Sequence, residues 1–355
     1  MRKLLAPTIS ALFSVAATAA FACDGMTTLE FYQTATADDV AACIAQGQSM
    51  APDETGITPL LAAAASAPPG IVQLLVDAGF DLSFSTPDGF SPLVAAAVLN
   101  PDHSVTTLLL NAGAEFDLQA RDPASVRELL AMGANSIFLM HVVDQGFDVL
   151  TRSEHGSTFL HDTASSASPD LIQFLLSRGI DPNARRSDGS TALHLVAGLN
   201  PDPAATERLL AAGSDLSARE ERGFTALHLA AWHNSNPEVT RLLLEHGADP
   251  NARDLRGATP LHIAVSLNES SAVTVALLEA GASTEARDQT GNTALHRAMR
   301  RFIDEAPQIV EALIAAGADV RARNGQGQLA IDLIADNSPL QGTDAYWQVN
   351  EGRFD

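Results

Sequence analysis

Short apolar runs, each ending at a glycine, repeat along most of the chain. The glycines that end these runs are Gly47, Gly79, Gly113, Gly146, Gly179, Gly213, Gly247, Gly281 and Gly317, at intervals of 32 to 36 residues. An apolar run closed by glycine is typical of a helix whose last turn ends in the left-handed conformation. The hydrophobic pattern therefore predicts a row of similar helical units.

A second series of glycines marks a turn in each unit. Its members are Gly56, Gly89, Gly156, Gly189, Gly223, Gly257, Gly291 and Gly327. The interval from Gly89 to Gly156 is two periods, so one turn glycine is missing although the unit itself is kept. Soon after the turn glycine a threonine can cap a helix, as Thr259 does before Pro260, and proline at the first helical position loses no hydrogen bond. Each unit thus predicts a turn followed by two helices.

The full motif resembles the ankyrin repeat. Gly257-Ala-Thr-Pro-Leu-His262, continued by Ile263 and Ala264, and the run from Leu242 to Asp254 are similar to that family's consensus nearly residue for residue. The resemblance covers roughly residues 28–336. It implies an all-α solenoid of paired antiparallel helices with projecting β-turn fingers, which binds partners through the finger tips and the exposed side of the first helix.

We divide the chain by this period. The predicted parts are a signal peptide at residues 1–22, a capping helix pair at 23–55, eight repeats at 56–326, a capping half-repeat at 327–342 and a tail at 343–355. The repeat at 122–155 is degenerate: Asp122 replaces the turn glycine, and we interpret the segment before Gly133 as its first helix and residues 136–144 as its second. It indicates either a local kink or a partner-specific surface. The tail is either a loose extension or a strap over the last helix.

The first 22 residues have the pattern of an export signal. Arg2 and Lys3 precede an apolar run, and Ala20-Phe21-Ala22 forms a small-x-small cleavage site. The alternatives are an uncleaved membrane anchor and a lipoprotein that begins at Cys23. Cys23 and Cys43 are the chain's two cysteines, and in an oxidising compartment they can pair, unless Cys43 is simply a small buried residue. We expect a protein of the bacterial periplasm or the extracellular space.

Charge and composition narrow the choice of partners. The formal net charge is -22, which repels phosphate backbones and anionic lipid surfaces. Nucleic acid and, after signal cleavage, the membrane are therefore not expected partners, whereas a protein with a basic surface is compatible with this charge. We expect a monomer that binds another protein.

No group of residues has the pattern of an active site. His161, His194, His228, His262 and His296 occupy the same slot in successive units, where neighbouring helices are about 8 to 10 Å apart, too far for ligands of one metal ion. We expect them to hydrogen-bond between repeats. Paired catalytic carboxylates, a nucleophilic serine motif and a phosphate-binding loop are absent from the sequence. The prediction is a protein without catalysis, cofactor or metal.

Candidate binding residues are those that depart from the repeat. They are Phe90 and Phe224 after turn glycines, Trp232 and His233 near the end of a first helix, and the arginines Arg256, Arg297, Arg300 and Arg301. An exposed aromatic side chain can anchor a partner. The alternative is that both phenylalanines pack on the next finger and that the arginines neutralise local acids. The predicted function is an exported interaction scaffold, and the alternative is an inhibitor or immunity protein that blocks an exported toxin or enzyme.

Overall fold

The structure is a computed structural model that describes residues 23–47, 50–87, 89–118, 123–131, 133–301, 303–334 and 338–352. The predicted signal peptide lies outside these residues. The chain divides into two compact units, Met1–Asp148 and Val149–Asp355. Each unit is built from helix pairs, and within the described residues the one β-type contact is an isolated antiparallel bridge between Arg323 and Leu329.

The N-terminal unit begins with a short 3-10 helix, Cys23–Thr27, followed by eight α-helices. These are α1 Leu29–Thr34, α2 Ala37–Ala45, α3 Pro59–Ser66, α4 Pro69–Asp77, α5 Pro92–Val98, α6 Ser104–Asn111, α7 Pro123–Ala131 and α8 Ser136–Asp144. First helices pack on first helices, as α3 does on α5, and second helices on second helices, as α4 does on α6. The apolar face of each pair is thereby buried against the next pair.

The C-terminal unit continues the same arrangement. Its α-helices are α9 Phe159–Asp162, α10 Pro169–Ser177, α11 Ala192–Leu199, α12 Pro203–Ala211, α13 Ala226–His233, α14 Pro237–Glu245, α15 Pro260–Leu267, α16 Ser271–Glu279, α17 Ala294–Ala298, α18 Ala306–Ala315 and α19 Asp344–Glu351. A 3-10 helix, Ala330–Leu333, lies between the last two. It stands where the sequence predicts the start of one more first helix.

Leucines at the same position of each helix form the core. Leu193, Leu227 and Leu261 of successive first helices are at most 1% exposed, and Leu209, Leu243 and Leu277 of the second helices are fully buried. Burying one leucine contributes roughly 2 kcal/mol. Because successive first helices and successive second helices pack on one another, this burial stabilises the stack of pairs.

Asparagines at the ends of first helices add polar contacts between pairs. The side-chain amide of Asn234 donates to the carbonyls of Ala197 and Asn200 at 2.9 and 2.8 Å. Asn100, Asn200 and Asn268 repeat this arrangement with the carbonyls of the pair before them. These bonds satisfy carbonyls that the end of a helix leaves unpaired.

The degenerate repeat contains both of its predicted helices, α7 and α8. The backbone N–H of Asn135, between them, donates to the Ala97 carbonyl at 2.9 Å, and its side-chain amide donates to Thr106 Oγ1 at 2.8 Å. Helix α8 packs on both α5 and α6 of the preceding pair. Asn135 therefore takes the place of the pair-linking asparagine, which fits the interpretation of α7 and α8 as one repeat.

The C-terminal segment forms a helix, where the sequence left a loose tail and a strap as alternatives. Helix α19 packs on α18 and on the 3-10 helix Ala330–Leu333. Its residues Ala345 and Val349 are fully buried, whereas Trp347 is 56% exposed. The segment thus covers the end of the stack as a strap. Among the described residues, no helix is both long enough and apolar enough to cross a bilayer.

Candidate protein-binding surface

Five histidines tie each first helix to the finger that follows it. In each, Nδ1 accepts from the N–H and hydroxyl of the capping threonine; at His262 these distances to Thr259 are 3.3 and 2.9 Å. The Nε2 of His262 then donates to the carbonyl of Asn292, 30 residues later, at 3.1 Å. His161, His194, His228 and His296 make the same set of bonds.

These bonds need the neutral form of the ring, in which Nδ1 has no proton. Burial lowers the pKa of His228 and of His262 to about 4, because the charged form would lose its hydration. Burial also lowers the pKa of His161, His194 and His296. The histidines are occupied within the fold, as the sequence predicts, and their side chains do not line a site.

Six arginines, which the sequence interpretation missed, bond to finger carbonyls, and all of them except Arg323 bond to the next finger. Each stands four residues before a turn glycine: Arg152, Arg185, Arg219, Arg253, Arg287 and Arg323. The Arg253 guanidinium donates to the carbonyls of Gly257, in its own finger, and of Arg287, in the next, at 3.1 and 2.7 Å. Arg185, Arg219 and Arg287 make the same pair of bonds. Their constant distance from the turn glycine was the available signal.

We call one side of the C-terminal unit the inner face. It consists of the residues four, seven and eight positions after the capping threonine of each first helix, with the fingers beside them. For α11, α13, α15 and α17 these residues are Leu195, Gly198 and Leu199; Leu229, Trp232 and His233; Ile263, Ser266 and Leu267; and Arg297, Arg300 and Arg301. Finger residues contact this row directly, so both belong to one surface.

Trp232 lies at the centre of an aromatic patch on the inner face. Its ring is stacked on His233, with ring centroids 4.4 Å apart, and meets Phe224 edge to face at 5.9 Å. The guanidinium of Arg222 lies 4.5 Å from the centre of the Phe224 ring and 5.0 Å from that of Trp232. Trp232 packs on the buried side chains of Leu229 and Ile263 and is itself only half-buried. An aromatic side chain that is fixed in place and partly exposed is typical of binding hot spots.

An arginine-lined hollow of about 320 Å³ lies two repeats further along. It is lined by Ser266, Asp288, Thr290, Asn292, Arg297, Arg300 and Arg301. Arg297 forms an ion pair with the buried carboxylate of Asp288, with 2.7 Å between Nη2 and Oδ2. Burial alone would raise the pKa of Asp288, but the Thr290 hydroxyl and the Arg297 guanidinium outweigh it and hold the pKa below its ordinary value.

The other two arginines of the hollow differ from each other. Arg301 bonds to the preceding pair as the pair-linking asparagines do, although it stands one position earlier in the repeat, and donates to the carbonyls of Ser266 and Asn268. Arg300 is exposed, and its guanidinium forms no ion pair or hydrogen bond with the residues that the structure describes. Three cations therefore face one carboxylate in the hollow.

The predicted binding residues divide into those on the inner face and those elsewhere. Phe224 is 6% exposed, so its ring is covered, which is the packing alternative. Arg256 is exposed at a finger tip, next to Leu255, which is 68% exposed. Phe90 is half-buried in the N-terminal unit, where its N–H donates to the Thr86 hydroxyl. Trp232, His233, Arg297, Arg300 and Arg301 share the inner face. That any of them binds a partner stays a prediction.

Cys23 and Cys43 are joined by a disulfide, with their Cα atoms 5.4 Å apart. The bond links the 3-10 helix Cys23–Thr27 to α2. Cys43 is also 3% exposed, so it is at the same time part of the core of the first pair. Within the described residues no group of three or more histidines, cysteines and carboxylates is placed to hold a metal ion.

Comparison with known proteins agrees with this geometry. The family model for ankyrin repeats (three copies) matches residues 160–254 and 249–324. Mouse NF-kappa-B inhibitor delta is 32% identical over 179 residues, which are 42% of this chain and 54% of that protein. The chain thus spans about half the length of this curated relative.

Two solved structures are similar as well. The ankyrin repeat domain of Bcl-3, a member of the IkappaB protein family, is 28% identical with a TM-score of 0.50, over 65% of this chain and 98% of that domain. The ankyrin repeat domain of human ASB11 is 26% identical with a TM-score of 0.55, over 64% and 98%. The repeated helix pairs, the bonded fingers and these matches together show that this chain contains ankyrin repeats, over residues 160–324 by the family model and over about two thirds of its length by structure.

Proposed function

We propose that this chain is an exported scaffold that binds another protein on the inner face of its C-terminal unit, without catalysis. The observation that carries the proposal is the half-buried Trp232, held between His233, Phe224 and Arg222 on a row that otherwise contains small, aliphatic or basic residues. The five histidines and most arginines of the repeats form hydrogen bonds within the fold. The inner face differs from the exposed second helices in presenting a fixed aromatic side chain beside exposed leucines and arginines.

Export is supported by two features of the sequence and one of the structure. Residues 1–22 have the pattern of a cleaved signal, and the chain contains two cysteines. These two are bonded to each other, and such bonds persist in oxidising compartments. N-terminal sequencing of the protein from its native cells, after fractionation, tests this part: a mature chain that begins at Cys23 in an exported fraction supports it, and an intact Met1 in the cytoplasm contradicts it.

The partner can be captured by photo-cross-linking in intact cells. A photoreactive amino acid is placed at Leu267, which is 45% exposed on the inner face, and in a matched variant at Arg208, which is exposed on the second helix α12. We expect a cross-linked protein from position 267 and not from position 208. The same product from both positions, or products from 208 alone, would contradict binding on the inner face.

An inhibitor is the second candidate, because a relative is named as an inhibitor of NF-kappa-B. The two candidates differ in what happens to the captured partner. A scaffold leaves the partner's activity unchanged when the complex forms, whereas an inhibitor removes it in proportion to the bound fraction. Measuring the partner's activity with and without saturating amounts of this protein separates them.

A further inference from the structure

The inner face is locally positive and apolar, although the molecule as a whole is acidic. The formal charge of the chain is -22, and the sequence interpretation accordingly allowed a partner with a basic surface. At the hollow, however, the three arginines Arg297, Arg300 and Arg301 outnumber the two carboxylates beside them, Asp288 in the lining and Glu269 near Arg301. Charges across a protein interface are arranged to be complementary. A positive area on an otherwise acidic molecule therefore indicates a partner with negative charge at that place.

Exposed apolar side chains lie between and beside the two parts of this surface. Leu199 is 50% exposed and Leu267 is 45% exposed, and they flank the position of His233 in the row. The indole N–H of Trp232 donates to no acceptor within the described residues, so it is available to a partner. A side chain laid on Trp232 would gain apolar contact on a surface that Phe224 and Leu229 already hold in place.

Arg300 is the group in the hollow that can bind a new anion. Arg297 is held by Asp288, and Arg301 by the carbonyls of Ser266 and Asn268. Arg300 alone is both exposed and without such a bond in the described part of the chain. Arg297 and Arg301 each have a carboxylate nearby, Asp288 and Glu269, so the uncompensated positive charge of the hollow is that of Arg300.

We propose that the inner face binds an extended segment of a partner protein that carries an apolar or aromatic side chain for Trp232 and a carboxylate for Arg300. This deepens the proposed function and rests on it. A nucleic acid is disfavoured as the partner, because the many acids outside the hollow repel its long row of phosphates. A single carboxylate in the hollow interacts mainly with the arginines there.

The repeat geometry fixes the spacing of the two side chains. Trp232 and Arg300 occupy the same slot in first helices two repeats apart, and neighbouring helices are about 10 Å apart. The distance to be spanned is therefore about 20 Å, which an extended peptide covers with about six residues at roughly 3.3 Å per residue.

Synthetic peptides test this directly. Each peptide has a glycine-serine background, one phenylalanine, and one variable residue that is glutamate, glutamine or lysine. The variable residue stands six positions before the phenylalanine in one set of peptides and six positions after it in the other. Trp347 and Trp232 are the chain's two tryptophans, so the full-length Trp347→Phe protein reports binding through Trp232 fluorescence. We expect the better of the two glutamate peptides to bind about tenfold more tightly than its glutamine form, and the lysine form to bind most weakly.

Protein variants locate the carboxylate. Arg300→Glu should weaken the glutamate peptide about tenfold and strengthen the lysine peptide, while Arg208→Glu, the same change on α12, should alter neither. Trp232→Ala, followed by calorimetry, should weaken all three peptides alike, and Trp347→Ala none. Three results would overturn the proposal. The glutamate and glutamine peptides bind equally well, Arg300→Glu and Arg208→Glu have equal effects, or no peptide binds at about 1 mM.

Failure of this proposal can be told from failure of the proposed function. The partner captured by cross-linking is measured against the same variants. If Trp232→Ala weakens that partner while Arg300→Glu does not, the inner face binds protein and the carboxylate site is wrong. If neither variant changes the partner's binding, the proposed function falls with it.

Discussion

At the scale of single residues, the five buried histidines of the C-terminal unit make its fold depend on one protonation state. The Nδ1 of His262 accepts two hydrogen bonds from Thr259, and its Nε2 donates to the next finger. A proton on Nδ1 would remove both acceptor bonds and place a charge in the core. The sequence interpretation assigned the histidines to bonds between repeats, and the bonds to Thr259 add that the ring is held in one tautomer.

We expect the stability to fall as the pH is lowered from about 6.5 to about 4. In the unfolded chain a histidine has a pKa near 6.5, whereas burial lowers the pKa of His228 and of His262 to about 4 in the folded protein. Between pH 6.5 and pH 4 the histidines of the unfolded state bind protons that those of the folded state do not. The free energy of unfolding therefore has its full value above pH 6.5 and decreases as the pH is lowered toward 4. The loss is on the order of 3 kcal/mol for each of these two residues.

Urea unfolding at pH values from 7.5 to 4.5 measures this loss, above the range in which most carboxylates titrate. His262→Gln should lower the stability at pH 7.5 but make its pH dependence shallower, because one titrating group is gone. Leu267→Gln, at an exposed position at the end of α15, changes no ionisable group and should leave the pH dependence unchanged. A midpoint that stays constant from pH 7.5 to 4.5 would show that the buried rings do not control stability.

At the scale of elements, the fingers are connected by the arginines that precede them. Because Arg253 bonds carbonyls in its own finger and in the next, it fixes the distance between two finger tips. In the N-terminal unit the position four residues before the turn glycine is Pro52 or Ser85, so these fingers lack the arginine. The fingers beside Trp232 and Arg300 are thus held in advance of binding, which lowers the entropy that binding costs.

Replacing Arg253 by glutamine should loosen the finger with little effect on the whole fold. Both carbonyls that lose the guanidinium lie near solvent, so we expect a loss of about 1 kcal/mol or less in global stability. Hydrogen exchange at the Leu255 amide, which donates to the Arg222 carbonyl in the neighbouring finger, should become about fivefold faster. Arg256→Gln, at the exposed tip of the same finger, serves as the control and should change neither quantity.

The disulfide stabilises the first helix pair, α1 and α2. Cys23 and Cys43 are 20 residues apart, and closing a loop of this size stabilises a fold by about 3 kcal/mol. Reduction, or the Cys43→Ser change, should therefore speed amide exchange in α1 and α2. The mass of the mature protein, with and without reductant, checks that the bond is present; free thiols in the native protein would contradict it.

At the scale of the whole molecule, the glycine period was enough to predict the fold but not the binding surface. The period predicted the helix pairs, the threonine caps and the two helices α7 and α8, since each depends on local sequence. Phe224 shows the limit. Most other repeats of the C-terminal unit have a small or polar residue after the turn glycine, so the phenylalanine looked exposed, yet it is buried beneath Arg222 and beside Trp232. Such contacts join residues from different positions of the repeat, and no period reveals them.

Charge is also distributed unevenly along the chain. Between residues 23 and 148 the arginines are Arg121 and Arg127, while acids are frequent. All other arginines except Arg2 lie in the C-terminal unit. The N-terminal unit is therefore the main source of the negative field. The inner face instead presents positive arginines for direct contact with the partner. We therefore expect the negative field to affect how fast the partner arrives and the inner face to affect how fast it dissociates.

The acidic field should control the rate of association more than the final affinity. For a partner whose surface outside the bound segment is basic, we expect the association rate to fall at least tenfold between about 20 and 300 mM salt, because screening shortens the range of the attraction. Changing Asp38, Asp77 and Glu115, exposed acids of the N-terminal unit, to their amides should reduce the salt dependence and leave the dissociation rate unchanged. Arg300→Glu should instead speed dissociation. Stopped-flow measurements give both rates; an association rate that is the same at both salt concentrations would mean that the charge of the molecule does not guide its partner.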